Sequence, residues 1–303
     1  MTTVAIYHRT VPNAKNQEKI DLLRFFAEGV TVTGDTSVDV QNNMFYPADV
    51  GVIQGWISQH TGRPHLALRN QVIQEQLKAN RYVVAVDSNL FLYANTANPL
   101  HYLRYSFNGV FPSTGIYCDT QVDPTRWQKI SQNLNLSLKD YRTNGNHILI
   151  CLQRGGGWSM GHSDVAEWAN TIISQIQAVS DRPIVVRAHP GDKSQTQYLP
   201  KIKWSDRVRL STNSSLVDDL QNCWAAVNHN SSPVVGAAIE GVPIFVTDPV
   251  RSQCRDIANL DLAQIENPLL PDRQKWVERL SMFHWNFEEL RSGECWRHMR
   301  NFI

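Results

Sequence analysis

Nowhere does the chain run to about 18 consecutive apolar residues, so no segment reads as a membrane-spanning helix. Its first residues lead straight into a strand-like segment, with no basic stretch followed by an apolar one, so no secretory signal is legible. Cysteine is scarce: Cys118, Cys151, Cys223, Cys254 and Cys295 are odd in number, scattered, and include no CxxC pair. That usage excludes a disulfide framework and a structural zinc site, and it points to a reducing cytoplasm. Excess charge is missing too. With 29 Lys and Arg against 28 Asp and Glu the formal net charge is +1. No whole-protein field draws in a polyanion, and a nucleic-acid partner would need a local basic face.

What is present suits two compact α/β domains. The 303 residues exceed one small core, and short apolar runs alternate with helical-period segments, the pattern of parallel sheets covered by helices. In the first half the expected strands are 4–7, 50–53 and 83–86, with helices at 17–26 and 64–78. Residues 95–124, rich in Asn, Pro, Gly and Tyr, read as an irregular loop, and the polar stretch 138–146 as an interdomain linker. A cleaner series follows, with strands at 147–152, 183–188, 208–210, 225–228 and 243–246 and helices at 164–179, 216–222 and 233–240. It reads as a doubly wound sheet. The aromatic tail from residue 273 is expected to cross back as a helix onto the first domain. The division is therefore 1–142, 143–272 and 273–303.

In open α/β sheets ligands sit beyond the carboxyl ends of the strands, and four segments fall there. Gln153-Arg154-Gly155-Gly156-Gly157 follows the first strand of the second half. It is either a plain turn or a loop whose amides and Arg154 approach a phosphate. Arg187-Ala188-His189-Pro190-Gly191-Asp192 places an imidazole at a strand end, fit to donate to a diphosphate. His229-Asn230-Ser231-Ser232-Pro233 opens a helix, with Ser232 as N-cap or as part of an anion site. Ser214 and Ser215 repeat that design before the helix at 216. Glu240, two turns along the helix at 233, has the chemistry to accept bonds from ribose hydroxyls.

The ordered set His189-Pro190-Gly191-Asp192, residues 215–220 (SLVDDL) and Asn230-Ser231-Ser232 with Gly236, Glu240, Gly241, Val242 and Pro243 resembles the donor-domain signature of GT-B glycosyltransferases. The versions most like it belong to capsule-polysaccharide and Kdo-transferase-like families and to phage-encoded enzymes that glucosylate or arabinosylate hydroxymethylated pyrimidines in DNA. The resemblance spans about residues 147–250. It implies two Rossmann-like domains facing across a cleft and a nucleotide-sugar donor such as a UDP-sugar. The diphosphate would lie on His189, Ser231 and Ser232, and the ribose on Glu240. It also implies an inverting reaction with no metal or other cofactor, and the second half carries no Asp-x-Asp triplet.

Inversion needs a base for the acceptor hydroxyl. Asp87, at a strand end where relatives carry an acidic residue, is the candidate, with His8, Asp35 and His60 in reserve. His8, His60, Arg126 and Trp127 are the expected acceptor contacts. For the acceptor the resemblance implies a hydroxymethylated pyrimidine in DNA, which the near-neutral net charge does not support by itself and which would need a local basic face of Arg63, Arg69, Lys78, Arg81, Arg104 and Arg126. A polysaccharide or oligosaccharide acceptor is the alternative, and a non-catalytic nucleotide-binding protein a further one. No membrane partner is expected.

Overall fold

The computed structural model describes residues 1–303 except 13–15, 58–61, 94–97, 156–157 and 162. Two compact units emerge: residues 1–89, 98–133 and 278–303 form unit 1, and residues 90–97 and 134–277 form unit 2. In chain order the strands are β1 (Thr3–Tyr7), β2 (Thr36–Val40), β3 (Val50–Gln54), β4 (Tyr82–Asp87), β5 (Leu103–Phe107), β6 (His147–Cys151), β7 (Ile184–Arg187), β8 (Val208–Leu210), β9 (Cys223–Asn228), β10 (Ile244–Val246) and β11 (His284–Trp285). The helices are α1 (Gln17–Val32), α2 (Pro64–Lys78), α3 (Pro124–Leu134), α4 (Val165–Gln177), α5 (Gln195–Tyr198), α6 (Leu216–Leu220), α7 (Pro233–Ile239), α8 (Gln274–Ser281), α9 (Phe287–Arg291) and α10 (Glu294–Met299).

Unit 1 is a six-stranded sheet in the order β11-β5-β4-β3-β1-β2. Its first four strands in the chain are parallel, and β5 and β11 extend it antiparallel. Continuous apolar runs make β1, β3 and β4 buried on both faces. β2 and β5 escape detection in the sequence for opposite reasons. The edge strand β2 (TSVDV) is half exposed, and β5 lies inside the stretch read as irregular loop. Of the C-terminal segment, residues 273–277 lie in unit 2, while residues 278–303 belong to unit 1. There α9 and α10 pack on α1, so closely that a Cβ at Gly29 would strike the Leu290 carbonyl. Trp296 stands edge-on to Phe26 and donates its indole N–H to Asp35 at 2.8 Å.

Unit 2 is an all-parallel sheet in the order β10-β9-β6-β7-β8. The amphipathic α4, N-capped by Asp164, lays Ala166, Ala169, Ile172, Ile173 and Ile176 on its core. Residues 134–142, assigned from sequence to the first domain, lie in unit 2. The cause is hydrogen bonding: the Lys139 and Arg142 amides donate to the Ile239 and Gly241 carbonyls, and the Arg142 guanidinium caps Leu220. Among the described residues no helix is long and apolar enough to cross a membrane.

Candidate functional site

Strand order decides where each sheet opens. In unit 2 the chain runs from β6 outward through β7 and β8, then returns to β9 and β10 on the other side. The switch point therefore lies between β6 and β9. The loops leaving those two strands carry Gln153 to Gly155 and His229 to Ser232.

At that point a buried amide network holds the loops together. Gln153 donates from Nε2 to Asn230 Oδ1 and to Ser159 Oγ, both at 3.0 Å, while its Oε1 accepts the Asn230 N–H. Asn230 Nδ2 donates in turn to the Ser159 carbonyl and to Asp248 Oδ2. Asn228 Nδ2 donates to both the Ser231 carbonyl and its hydroxyl. With its polar atoms spent internally, Asn230 is a brace for the site, and Ser231 Oγ is partly engaged.

Three expected donor contacts face outward. Arg154 is exposed, and its guanidinium lies over Gly191, where a Cβ would stand 2.8 Å from Nη2. His189 accepts the Gly191 N–H on Nδ1 at 3.0 Å, so the neutral ring carries its proton on Nε2 and can donate there. Burial, and secondarily the Arg154 charge, hold His189 below its ordinary pKa, which keeps that tautomer neutral. Ser232 stands at the N-cap of α7 but makes no capping bond and is exposed, so its hydroxyl is available. Ser214 is exposed as well.

Other expected donor residues are occupied. Arg187 pairs at 2.5 Å with the buried Asp219 and also donates to the Asn213 and Ser214 carbonyls, bracketing the loop after β8. Ser215 caps α6 through the Asp218 N–H. The Gly155 N–H is taken by Asp192 at 2.7 Å, while Gly156 and Gly157 lie outside the described residues. His229 bonds the Thr247 hydroxyl at 2.7 Å, and Trp168 Nε1 donates to the same oxygen. Glu240 departs furthest from expectation. It is 8% exposed, and its two oxygens accept from Tyr93 Oη at 3.1 Å and Lys139 Nζ at 2.5 Å. Tyr93 also covers Gly236, one turn back on the same face of α7. A carboxylate closed in this way is a structural anchor.

In unit 1 the switch point falls between β1 and β3. His8 follows β1 directly, and its Nε2 meets Asp39 Oδ1 at 2.6 Å. An ionised carboxylate only accepts, so Nε2 carries the proton and Nδ1 keeps the lone pair. Asp87 ends β4 two strands away. Its Oδ2 meets Arg104 Nη2 at 2.5 Å across the β4–β5 pair, and its Oδ1 accepts the Ser88 N–H at 2.7 Å. Burial raises the Asp87 pKa, but the Arg104 charge and the Ser88 bonds outweigh it and hold the carboxyl below the usual range. The remaining expected residues are elsewhere. Asp35 is closed by Thr2, Trp296 and Arg300, and His60 lies outside the described residues. Arg126 is buried, donating to the Ser281 and His284 carbonyls, facing Glu289 and stacking 3.6 Å from the Trp285 ring. Trp127 is buried too. Neither residue is presented to an acceptor.

The sequence missed Gln153, Asp39 and Asp248. Each acts through a partner 18 to 77 positions away, and no local motif marks such a pair.

No protein-family model matches the chain, and no curated protein sequence matches it. Among solved structures it is similar to Thermosulfurimonas dismutans KpsC, beta Kdo 2,4 transferase, at 12% identity and TM-score 0.54 over 93% of this chain and 90% of that one. It is also similar to Thermosulfurimonas dismutans KpsC, beta Kdo 2,7 transferase, at 13% identity and TM-score 0.53, covering 99% of each chain. At these identities the likeness is one of fold: the chain shares the Rossmann-like α/β architecture of GT-B proteins.

Proposed function

We propose that this protein is a glycosyltransferase taking its sugar from a nucleotide-sugar, in the first instance a UDP-sugar, bound at the carboxyl edge of the unit 2 sheet. The observation that carries the proposal is the placing of Arg154 and His189 together over the Gly191 turn, with the uncapped Ser232 on the loop after β9, so that the ends of the adjacent strands β9, β6 and β7 all present donors at one sheet edge. As the sugar C1–O bond to the diphosphate breaks, negative charge grows on the leaving oxygen. Arg154 and His189 are the donors that would stabilise it without a metal. The KpsC structures, described as Kdo transferases, support the same class of chemistry.

Inverting transfer needs a base to take the proton of the acceptor hydroxyl, and unit 1 supplies the candidates. Asp87 keeps that role as a proposal, but Arg104 makes it a weaker proton acceptor. His8, oriented by Asp39 with Nδ1 open, is the stronger candidate because its geometry is that of a general base. A saccharide acceptor is favoured over DNA. Of the six cations offered for a DNA-binding face, Arg104 is paired with Asp87 and Arg126 with Glu289, and Arg69 is buried rather than displayed on the surface, which leaves too few for a surface phosphate track.

The test is transfer from a panel of UDP-sugars in EDTA, offered to oligosaccharides and to DNA carrying hydroxymethylated pyrimidines. Sugar on an oligosaccharide, lost in His189→Ala and in His8→Asn, supports the proposal. Sugar on DNA would restore the nucleic-acid acceptor. No binding of any nucleotide would overturn the assignment.

A further inference from the structure

Arg69 is a charged side chain of unit 1 whose burial its described surroundings do not explain. It is 8% exposed, and buried cations are ordinarily paired with a carboxylate. Arg69 has none. Its Nε and Nη2 donate to the Thr10 carbonyl at 3.0 and 2.7 Å, and Nη2 also to Gln54 Oε1 at 2.7 Å, all neutral acceptors. The carboxylate that acts on it electrostatically, Asp87, is already joined to Arg104. Burial consequently pushes the guanidinium down to about 10. Among the described residues its remaining nitrogen, Nη1, makes no hydrogen bond. It lies against Gly55, directly after β3, where a Cβ would come within 2.9 Å. Gly55 has φ +77, so the glycine serves both the backbone turn and the guanidinium.

The surroundings reinforce the imbalance. Arg69 lies on α2, whose first turn has no acidic side chain and no side-chain cap, leaving the positive end of the 15-residue helix uncompensated. Arg63 and His65 flank that turn. Burial, then Arg69 and Arg63, hold His65 below its ordinary pKa. Thr10 and Gln54 close the ends of β1 and β3, so the unpaired cation stands at the unit 1 switch point, where a doubly wound sheet takes its ligand.

We propose that Arg69, with Arg63 and the first turn of α2, binds an anionic group of the acceptor, a carboxylate or a phosphate, at the β1/β3 switch point of unit 1. That the ligand is the acceptor rests on the glycosyltransferase reading; that the site takes an anion does not. With Nε and Nη2 held by Thr10 and Gln54, the two protons on Nη1 remain for an oxygen of either group in a charge-assisted bond.

The test uses the full chain, following the backbone amide signals of Gly55 and His65 by NMR during titration with inorganic phosphate, glucuronate, or uncharged methyl glucoside. Saturable shifts are expected with at least one anion, weakened about tenfold in Arg69→Gln. If that variant does not fold, the double variant Arg63→Gln, His65→Gln keeps Arg69 and is expected to weaken binding severalfold. Preference for phosphate points to a phosphorylated acceptor, and preference for glucuronate to an acidic sugar. The proposal is overturned if neither anion produces saturable shifts, if methyl glucoside matches glucuronate, or if the variants bind as the parent does. Anion binding without sugar transfer would leave this site standing and sink the glycosyltransferase reading instead.

Discussion

The two sheets open at their carboxyl ends in the same way but treat charge oppositely. At the unit 2 edge, Arg154 and the His189 Nε2–H stay outward while neutral amides from Gln153, Asn228 and Asn230 brace the loops beneath them. In unit 1 the corresponding cations turn inward: Arg104 to Asp87, Arg126 to Glu289, and Arg69 to carbonyls alone. An arginine in a strand-end segment is thus no guide to ligand binding until its partners are known. Where neutral groups do the bracing, charge remains for a ligand.

The strongest way to break this comparison is to remove an inward and an outward cation in parallel. Arg126→Gln takes one of two cations from the buried Glu289, which keeps Lys129, and unpairs the Ser281 and His284 carbonyls, so it is expected to cost about 1–3 kcal/mol in urea unfolding, whereas Arg154→Gln should stay within about 0.5 kcal/mol. Equal losses would erase the distinction. In nucleotide binding the order reverses. His189→Ala is expected to lower kcat/KM for the donor by about 10²-fold or more, with the unfolding midpoint little changed. A third contrast concerns pH. Burial holds His284 down to about 3, so below its unfolded value of about 6.5 only the unfolded chain takes up that proton. Its folded pKa being depressed, this contribution is complete above about 6.5 and declines as pH falls toward 3. By pH 5 the loss amounts to about 2 kcal/mol. Urea unfolding at pH 7 and pH 5 should show a shallower pH dependence in His284→Gln than in the parent.

A smaller effect sharpens the donor edge. In Gly191→Ala the new methyl meets Arg154 Nη2, a flexible terminus that can move aside. Stability should change by no more than about 0.5 kcal/mol, while UDP affinity measured by calorimetry falls a few-fold. Unchanged affinity would show that Arg154 needs no fixed position over the turn.

The central β-strands of both units were legible because burial on both faces writes continuous apolar runs into β1, β3, β4 and β6. β5 was not, since its antiparallel position between β4 and β11 depends on a partner almost two hundred residues later in the chain. The donor edge was partly legible for a related reason. Its outward groups lie in short Gly, Pro and Ser segments whose turn chemistry is local. Glu240 was legible as the residue that ends α7, but its partners Tyr93 and Lys139 were not, since they come from 147 and 101 positions earlier.

By itself, then, the sequence determined where the strands buried on both faces and their following turns fall, because backbone preference and hydrophobic period act over a few residues. Only the tertiary structure decided which charges are spent and which remain: Asp39 on His8, Arg104 on Asp87, and nothing on Arg69. Electrostatic pairing depends on distance in space, and the sheets bring together charges that the chain order keeps far apart.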